Sequence, residues 1–209
     1  MSVTQGAAID PDVNTLRGRR ATRRRERTSV GDVLERLTWS YPDQIAVAGW
    51  PGAYGDQRFA QLTYRQADES ANRFAHALAC VGLQPGARVL LFCENSVEAC
   101  LAKIGIAKAG MVAVPVNPNL APDVVKHLIE LTEPAFAVVD AELWSRAEPG
   151  FSAAGLRPGV TITIGDTPVV GTPSFTELID DKPDTEPDVE IHGDDIWELL
   201  FTSGTTSRS

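Results

Sequence analysis

RVLLFCENSVEACLAKIGIAKAGMVAVPV, the stretch from Arg88 to Val116, holds the pattern that decides the fold. Arg88 to Cys93 is an apolar run too short for a buried helix and rich enough in aliphatic residues for a buried strand. Val97 to Ala109 has helical length and is closed by Gly110, and Val112 to Val116 is a second short apolar run. Parallel strands need a crossover of about a dozen residues, whereas antiparallel strands can be joined by a tight turn. Strand, helix and strand in this order therefore predict parallel neighbours.

The same alternation extends in both directions. Upstream, Thr63 and Gln66 have the spacing of a capping box, and Ala67, Ala71, Phe74, Ala75, Leu78 and Ala79 fall on one helical face that should end at Gly82. Downstream, Pro122 opens a third helix as a first-turn proline and Ala135 to Val139 supplies a third strand. The fold class expected is α/β, with a mainly parallel sheet flanked by helices on both faces. Before the first unit, Ser29 to Ser40 reads as a helix with Ser29 and Asp32 as its cap. Ile45 to Ala48 and Arg58 to Tyr64 read as an N-terminal β-hairpin around Pro51-Gly52 and Gly55-Asp56. Beyond Asp140 the periodicity is weaker; it places helices at Ala141 to Ala147 and Phe175 to Ile179, and strands at Val160 to Ile164 and Ile196 to Phe201.

Composition bounds the function classes. The chain has 209 residues, 43% hydrophobic, with 19 basic against 28 acidic side chains and a net charge of −9. A chain of this length buries about 70% of its unfolded surface and needs no disulfide staples. No apolar run approaches the roughly 18 residues of a membrane span. Seven arginines against three acids lie between Met1 and Gly31, a net +4 that leaves −13 for the rest. Residues 1–28 are therefore expected to form a disordered Arg-rich arm, and the acidic remainder argues against nucleic acid as a partner. Glu177 to Glu198 holds ten carboxylates and one lysine, Lys182, with no ligand spacing, and is expected to be an exposed linker rather than a metal site. Cys80, Cys93 and Cys100 form no C-x-x-C pair, so they are expected to be small core residues in a reducing compartment, and the localisation expected is cytoplasmic.

The chemistry is concentrated at the end. Ile196 to Phe201 runs directly into Thr202, Ser203, Gly204, Thr205, Thr206, Ser207, Arg208 and Ser209. A buried strand delivering glycine and four or more hydroxyls is how a phosphate cradle is built: glycine lets backbone approach, and successive N–H groups form an anion nest. It is not a Walker loop, because G-x-x-x-x-G-K-[ST] is absent.

Leu199 to Ser209 resembles the phosphate loop of the adenylate-forming (AMP-binding) enzymes, the superfamily of acyl-CoA synthetases, aryl-CoA ligases, adenylation domains and luciferases. Leu62-Thr63-Tyr64-Arg65-Gln66 resembles that family's first core motif, and Lys108-Ala109-Gly110 through Val114-Pro115-Val116-Asn117-Pro118 its second. The likeness covers 29–209, which it implies to be a partial AMP-binding N-terminal domain ending in the phosphate loop. It further implies an AMP-forming acid–thiol ligase of the acyl-CoA synthetase branch, in fatty acid metabolism. In that chemistry a carboxylate attacks the α-phosphate of ATP, and CoA then takes the acyl group from the adenylate. Thr202, Ser203, Gly204, Thr205, Thr206 and Ser207 would hold the phosphates, with Thr206 contacting Mg²⁺. The implied cofactors are ATP, Mg²⁺ and CoA, the implied partner a small-molecule carboxylic acid.

Position 207 is serine where the family most often has glycine, and the sequence stops one residue short of the basic side chain that usually follows. The adenine, ribose and acyl pockets and the mobile C-terminal domain belong beyond Ser209, so no catalytic residue is assigned within this chain and 1–209 alone is expected to be inactive. A competing expectation is a non-catalytic, truncated or split module that associates through unpaired sheet edges.

Overall fold

The computed structural model describes residues 29–156, 159–162 and 171–201. Helix α1 spans Val30–Ser40, with the expected capping box between Ser29 and Asp32. Strand β1 (Ile45–Ala48) pairs antiparallel with β2 (Gln61–Thr63), so the hairpin forms. The second strand is shorter than the sequence suggests. Asp56 caps a 3₁₀ turn over Gln57–Phe59, and Thr63 already caps α2 (Tyr64–Cys80), exchanging hydrogen bonds with Gln66. Local side-chain caps at both ends consume residues that apolar content alone assigns to a strand.

The main sheet is built from β3 (Arg88–Phe92), β4 (Val112–Pro115), β5 (Phe136–Asp140) and β6 (Val160–Ile162), in the order β4-β3-β5-β6, every pair parallel. Helices α3 (Val97–Lys108) and α4 (Pro122–Thr132) provide the crossovers; α5 (Trp144–Ala153) and α6 (Phe175–Ile179) follow. Alternate strand residues separate into two cores. Val89, Leu91, Ala113, Phe136 and Val138 pack with α2, α3 and α6, while Leu90, Phe92, Val114, Ala137 and Val139 pack with α4 and α5. Burial on both faces is why these strands are continuous apolar runs.

Three differences from the sequence expectations have physical causes. The helix after Asp140 is a 3₁₀ turn over Ala141–Leu143 followed by α5, which continues past Pro149 because Phe151 is buried against Trp144 and Phe92. Of the expected strand Val160 to Ile164, β6 covers Val160–Ile162, and residues 163 and 164 lie outside the described residues. Cys80 and Cys100 are exposed rather than core residues: the first ends α2, and the second lies off the buried strip of α3 formed by Val97, Leu101, Ala102 and Gly105. Ile196–Phe201 is not a full strand but a single parallel bridge, described below. Among the described residues no helix is long and apolar enough to cross a membrane.

Candidate functional site at the carboxyl edge of the sheet

Four parallel strands end on one side, at Phe92, Pro115, Asp140 and Ile162. In open α/β sheets this carboxyl edge is where ligands bind, because connections that leave neighbouring strands for opposite faces open a crevice there. Glu198 forms a parallel bridge with Ala113, placing one more segment beside β4. The Ala113 N–H donates to the Trp197 carbonyl at 2.8 Å, and the Leu199 N–H donates to the Ala113 carbonyl at 2.9 Å. Parallel sense carries the chain toward the same edge. Leu199 and Phe201 rest on the core that contains Leu90, Phe92, Val114 and Val116. Thr202, Ser203, Gly204, Thr205, Thr206 and Ser207 lie outside the described residues; the segment leading into them is ordered by a two-hydrogen-bond splice and by burial.

Lysines of α3 hold that segment. The Lys103 ammonium lies 2.5 Å from Glu198 Oε1 and 5.3 Å above the Trp197 ring. Lys108, five residues on, is wholly buried, and its ammonium meets Asp68 Oδ1 at 2.7 Å, Asn72 Oδ1 at 2.7 Å and Glu186 Oε2. An ammonium has three donors, and three acceptors satisfy them. Burial pushes the Glu186 carboxyl above its usual range, against the pull of Lys108. From α2, Arg73 donates to the Lys182 carbonyl at 2.5 Å and to Asp184 at 2.8 Å, Asn72 donates to the Asp184 carbonyl at 2.9 Å, and His76 bonds the Thr185 carbonyl. The acid-rich stretch expected to be a linker is therefore a strap bound to two helices. Its carboxylates find partners on α2 and α3 more than seventy residues away, which spacing along the chain cannot reveal.

At the edge itself, Asp140 closes β5 with 6% exposure. Its Oδ2 accepts from the Glu94 N–H at 2.7 Å, whereas Oδ1 is buried without a hydrogen-bond partner. Burial raises its pKa to about 6 despite that bond. The neighbouring Cys93 thiol donates to the Val138 carbonyl at 3.4 Å, and burial first, then the Asp140 charge, pushes its pKa up. Such a thiol is a poor nucleophile. Neither residue had a motif to announce it; only strand ends brought to one edge make them neighbours. Among the described residues, no group of three or more His, Cys, Asp or Glu is placed to hold a metal ion.

A parallel α/β sheet, with a chain segment spliced onto its edge and carried toward the carboxyl side, defines an open α/β protein whose ligands are expected at that edge. The specific family follows from comparison with known proteins. The family model described as "AMP-binding enzyme" matches residues 34–209, so this chain belongs to the AMP-binding enzymes. Long-chain-fatty-acid–CoA ligase FadD13 of Mycobacterium tuberculosis is 35% identical over 84% of this chain and 34% of its own length. The fatty acid–[acyl-carrier-protein] ligase MmaC of Mycobacterium marinum is 31% identical over 84% of this chain and 32% of its own. In structure, the anthranilate CoA ligase AuaEII, solved with anthranoyl-AMP, superposes with a TM-score of 0.74 at 25% identity, covering 91% of this chain and 35% of that one. The chain thus spans about a third of the length of the relatives it matches.

Proposed function

We propose that this chain is the N-terminal portion of an ATP-dependent ligase that activates a carboxylic acid as its acyl-adenylate and passes it to the thiol of CoA. The observation that carries the reading is the splice of Trp197 and Leu199 onto Ala113, which runs parallel to β4 and so carries the chain toward the carboxyl edge of the sheet as far as Phe201. In this reading Thr202, Ser203, Gly204, Thr205, Thr206 and Ser207 hold the ATP phosphates through backbone N–H groups and hydroxyls. The hard oxygen of Thr206 suits Mg²⁺, which supplies neutralisation of the charge that develops on the leaving pyrophosphate. Residues 29–209 form the nucleotide-binding part, residues 1–28 are an arm outside it, and the enzyme works in the cytoplasm. The family match beginning at residue 34 supports that boundary. CoA is favoured over a carrier-protein thiol by the names of FadD13 and AuaEII, and MmaC supplies the competing acceptor.

The decisive test is ATP–pyrophosphate exchange with Mg²⁺ and a panel of aliphatic and aromatic acids. It compares residues 1–209 with the product of the reading frame extended past Ser209. The extended protein is expected to exchange with at least one acid and to lose exchange when Thr205 and Thr206 become alanine; residues 1–209 are expected to give none. Exchange by 1–209 alone overturns the assignment of the missing pockets to later sequence.

A second reading is favoured by Ile196 and Leu200, 65% and 72% exposed on the spliced edge. Apolar side chains at an uncovered sheet edge invite another chain, so the protein would be a non-catalytic module that pairs with a complementary polypeptide or with itself. A stop codon after Ser209, together with a stable dimer or complex in sedimentation, decides for this reading; a continuing frame and a monomer decide against it.

A further inference from the structure

We propose that α3 sets the position of the segment that enters the nucleotide loop, with Lys103 and Lys108 as its positioning residues. The functional meaning rests on the ligase reading above; the geometry does not. Lys108 clasps Glu186 at the start of the strap, and Lys103 clasps Glu198 at the splice, on the same helix. Between these points Val189 and Ile191 lie against Gly110, where an added Cβ would come within 3.0 Å and 3.4 Å of their side chains. Gly110, at the end of α3, has φ +67°, a conformation that side chains other than glycine adopt at a cost. The strap is therefore held at three successive points on α3 and its terminus, the last of them where it meets Ala113.

The two clasps differ in kind. Lys108 sits among Asp68, Asn72 and Glu186, with Glu35 and Asp68 both acting on the Glu186 charge, so one buried cation balances several acids. Losing it strands carboxylates in the interior. Lys103 is 37% exposed while Glu198 is nearly covered, and exchanging the two residues keeps an ion pair at the same place. This makes Lys103–Glu198 the pair on which position is tested separately from folding.

The experiment is amide hydrogen exchange on the full 209-residue chain, which requires no nucleotide. Lys103→Glu is expected to speed exchange at 197–201 about tenfold, leaving β3 and β5 within about twofold. Lys103→Glu combined with Glu198→Lys is expected to restore most of the protection. Glu186→Gln, which leaves the Asp68–Lys108 pair and so avoids unfolding, is expected to speed exchange at 183–191 and at 197–201. Unchanged exchange at 197–201 in the single variants overturns the proposal, as does failure of the swapped pair to recover it. So does equal acceleration in β3 and β5, because the effect would then be global unfolding. In the extended enzyme the Lys103→Glu change is expected to raise KM for ATP several-fold with a smaller change in kcat, and the swap to reverse it. If no form of the enzyme turns over ATP, the ligase reading fails while the exchange data still decide the positioning role.

Discussion

Asp140 is a carboxylate held in the interior at the end of β5. Its proton is held more tightly in the fold, with a pKa of about 6, than in the unfolded chain, where the reference value is 3.8. The folded state thus binds more protons between those values. The stability this contributes is complete below about pH 4 and is lost as pH rises through 6, on the order of 2 to 3 kcal/mol in all. Asp140→Asn keeps an acceptor for the Glu94 N–H and removes the charge. Its urea midpoint is expected to exceed that of the parent at pH 8, with the gap closing toward pH 4. Parallel pH profiles for the two proteins would show that burial of this carboxylate costs nothing. Gly105 is a second residue-scale case. An added Cβ would lie 2.7 Å from the Ala71 carbonyl and 2.9 Å from the Phe74 ring, so Gly105→Ala is expected to push α3 from α2 and cost about 1 to 3 kcal/mol, read by denaturant unfolding.

At the scale of elements, caps and splices decide boundaries that hydrophobic content blurs. The Thr63–Gln66 capping box was legible because both partners lie within one turn, and Thr63→Ala is expected to cost about 1 kcal/mol in thermal or urea unfolding. The splice at Ala113 was only half legible. Six residues of strand-forming composition make one bridge, since only Ala113 among the residues of β4 has its hydrogen-bonding groups turned toward Trp197 and Leu199. Leu199→Pro removes the N–H that bonds the Ala113 carbonyl. Exchange at 197–201 is expected to accelerate about fivefold or more, for a bond worth about 1 kcal/mol, while β3 and β5 stay protected. Retained protection at 197–201 would show that the core contact of Phe201, not the ladder, holds the edge.

For the whole molecule, two cores on opposite faces of one sheet make a stable platform, and the strap ties its edge back to α2 and α3. Net charge gave no hint of the strap. Ten acids in 22 residues suggest solvation by composition, yet Glu186 and Glu198 face lysines of a helix that lies earlier in the chain. Raising the salt from about 0.05 to 0.5 M is expected to weaken the Lys103–Glu198 pair, whose lysine is 37% exposed, more than the contact of the wholly buried Lys108 with Asp68, because screening acts on solvated charges. Exchange at 197–201 should therefore rise with salt more than exchange in β3 and β5.

The amino-acid order alone determined the parallel sheet, its helical crossovers and the caps, because these depend on residues within a turn or on the period of burial. It also supplied the three motifs by which the family is recognised. Only the tertiary structure decided that the acidic stretch is a strap, that Lys103 and Lys108 hold it, and that Cys93 and Asp140 meet at one edge. Those facts depend on hydrogen bonds, charge pairs and strand ends brought together across 36 to 112 residues, and long-range pairing of this kind leaves no local period for a sequence to show.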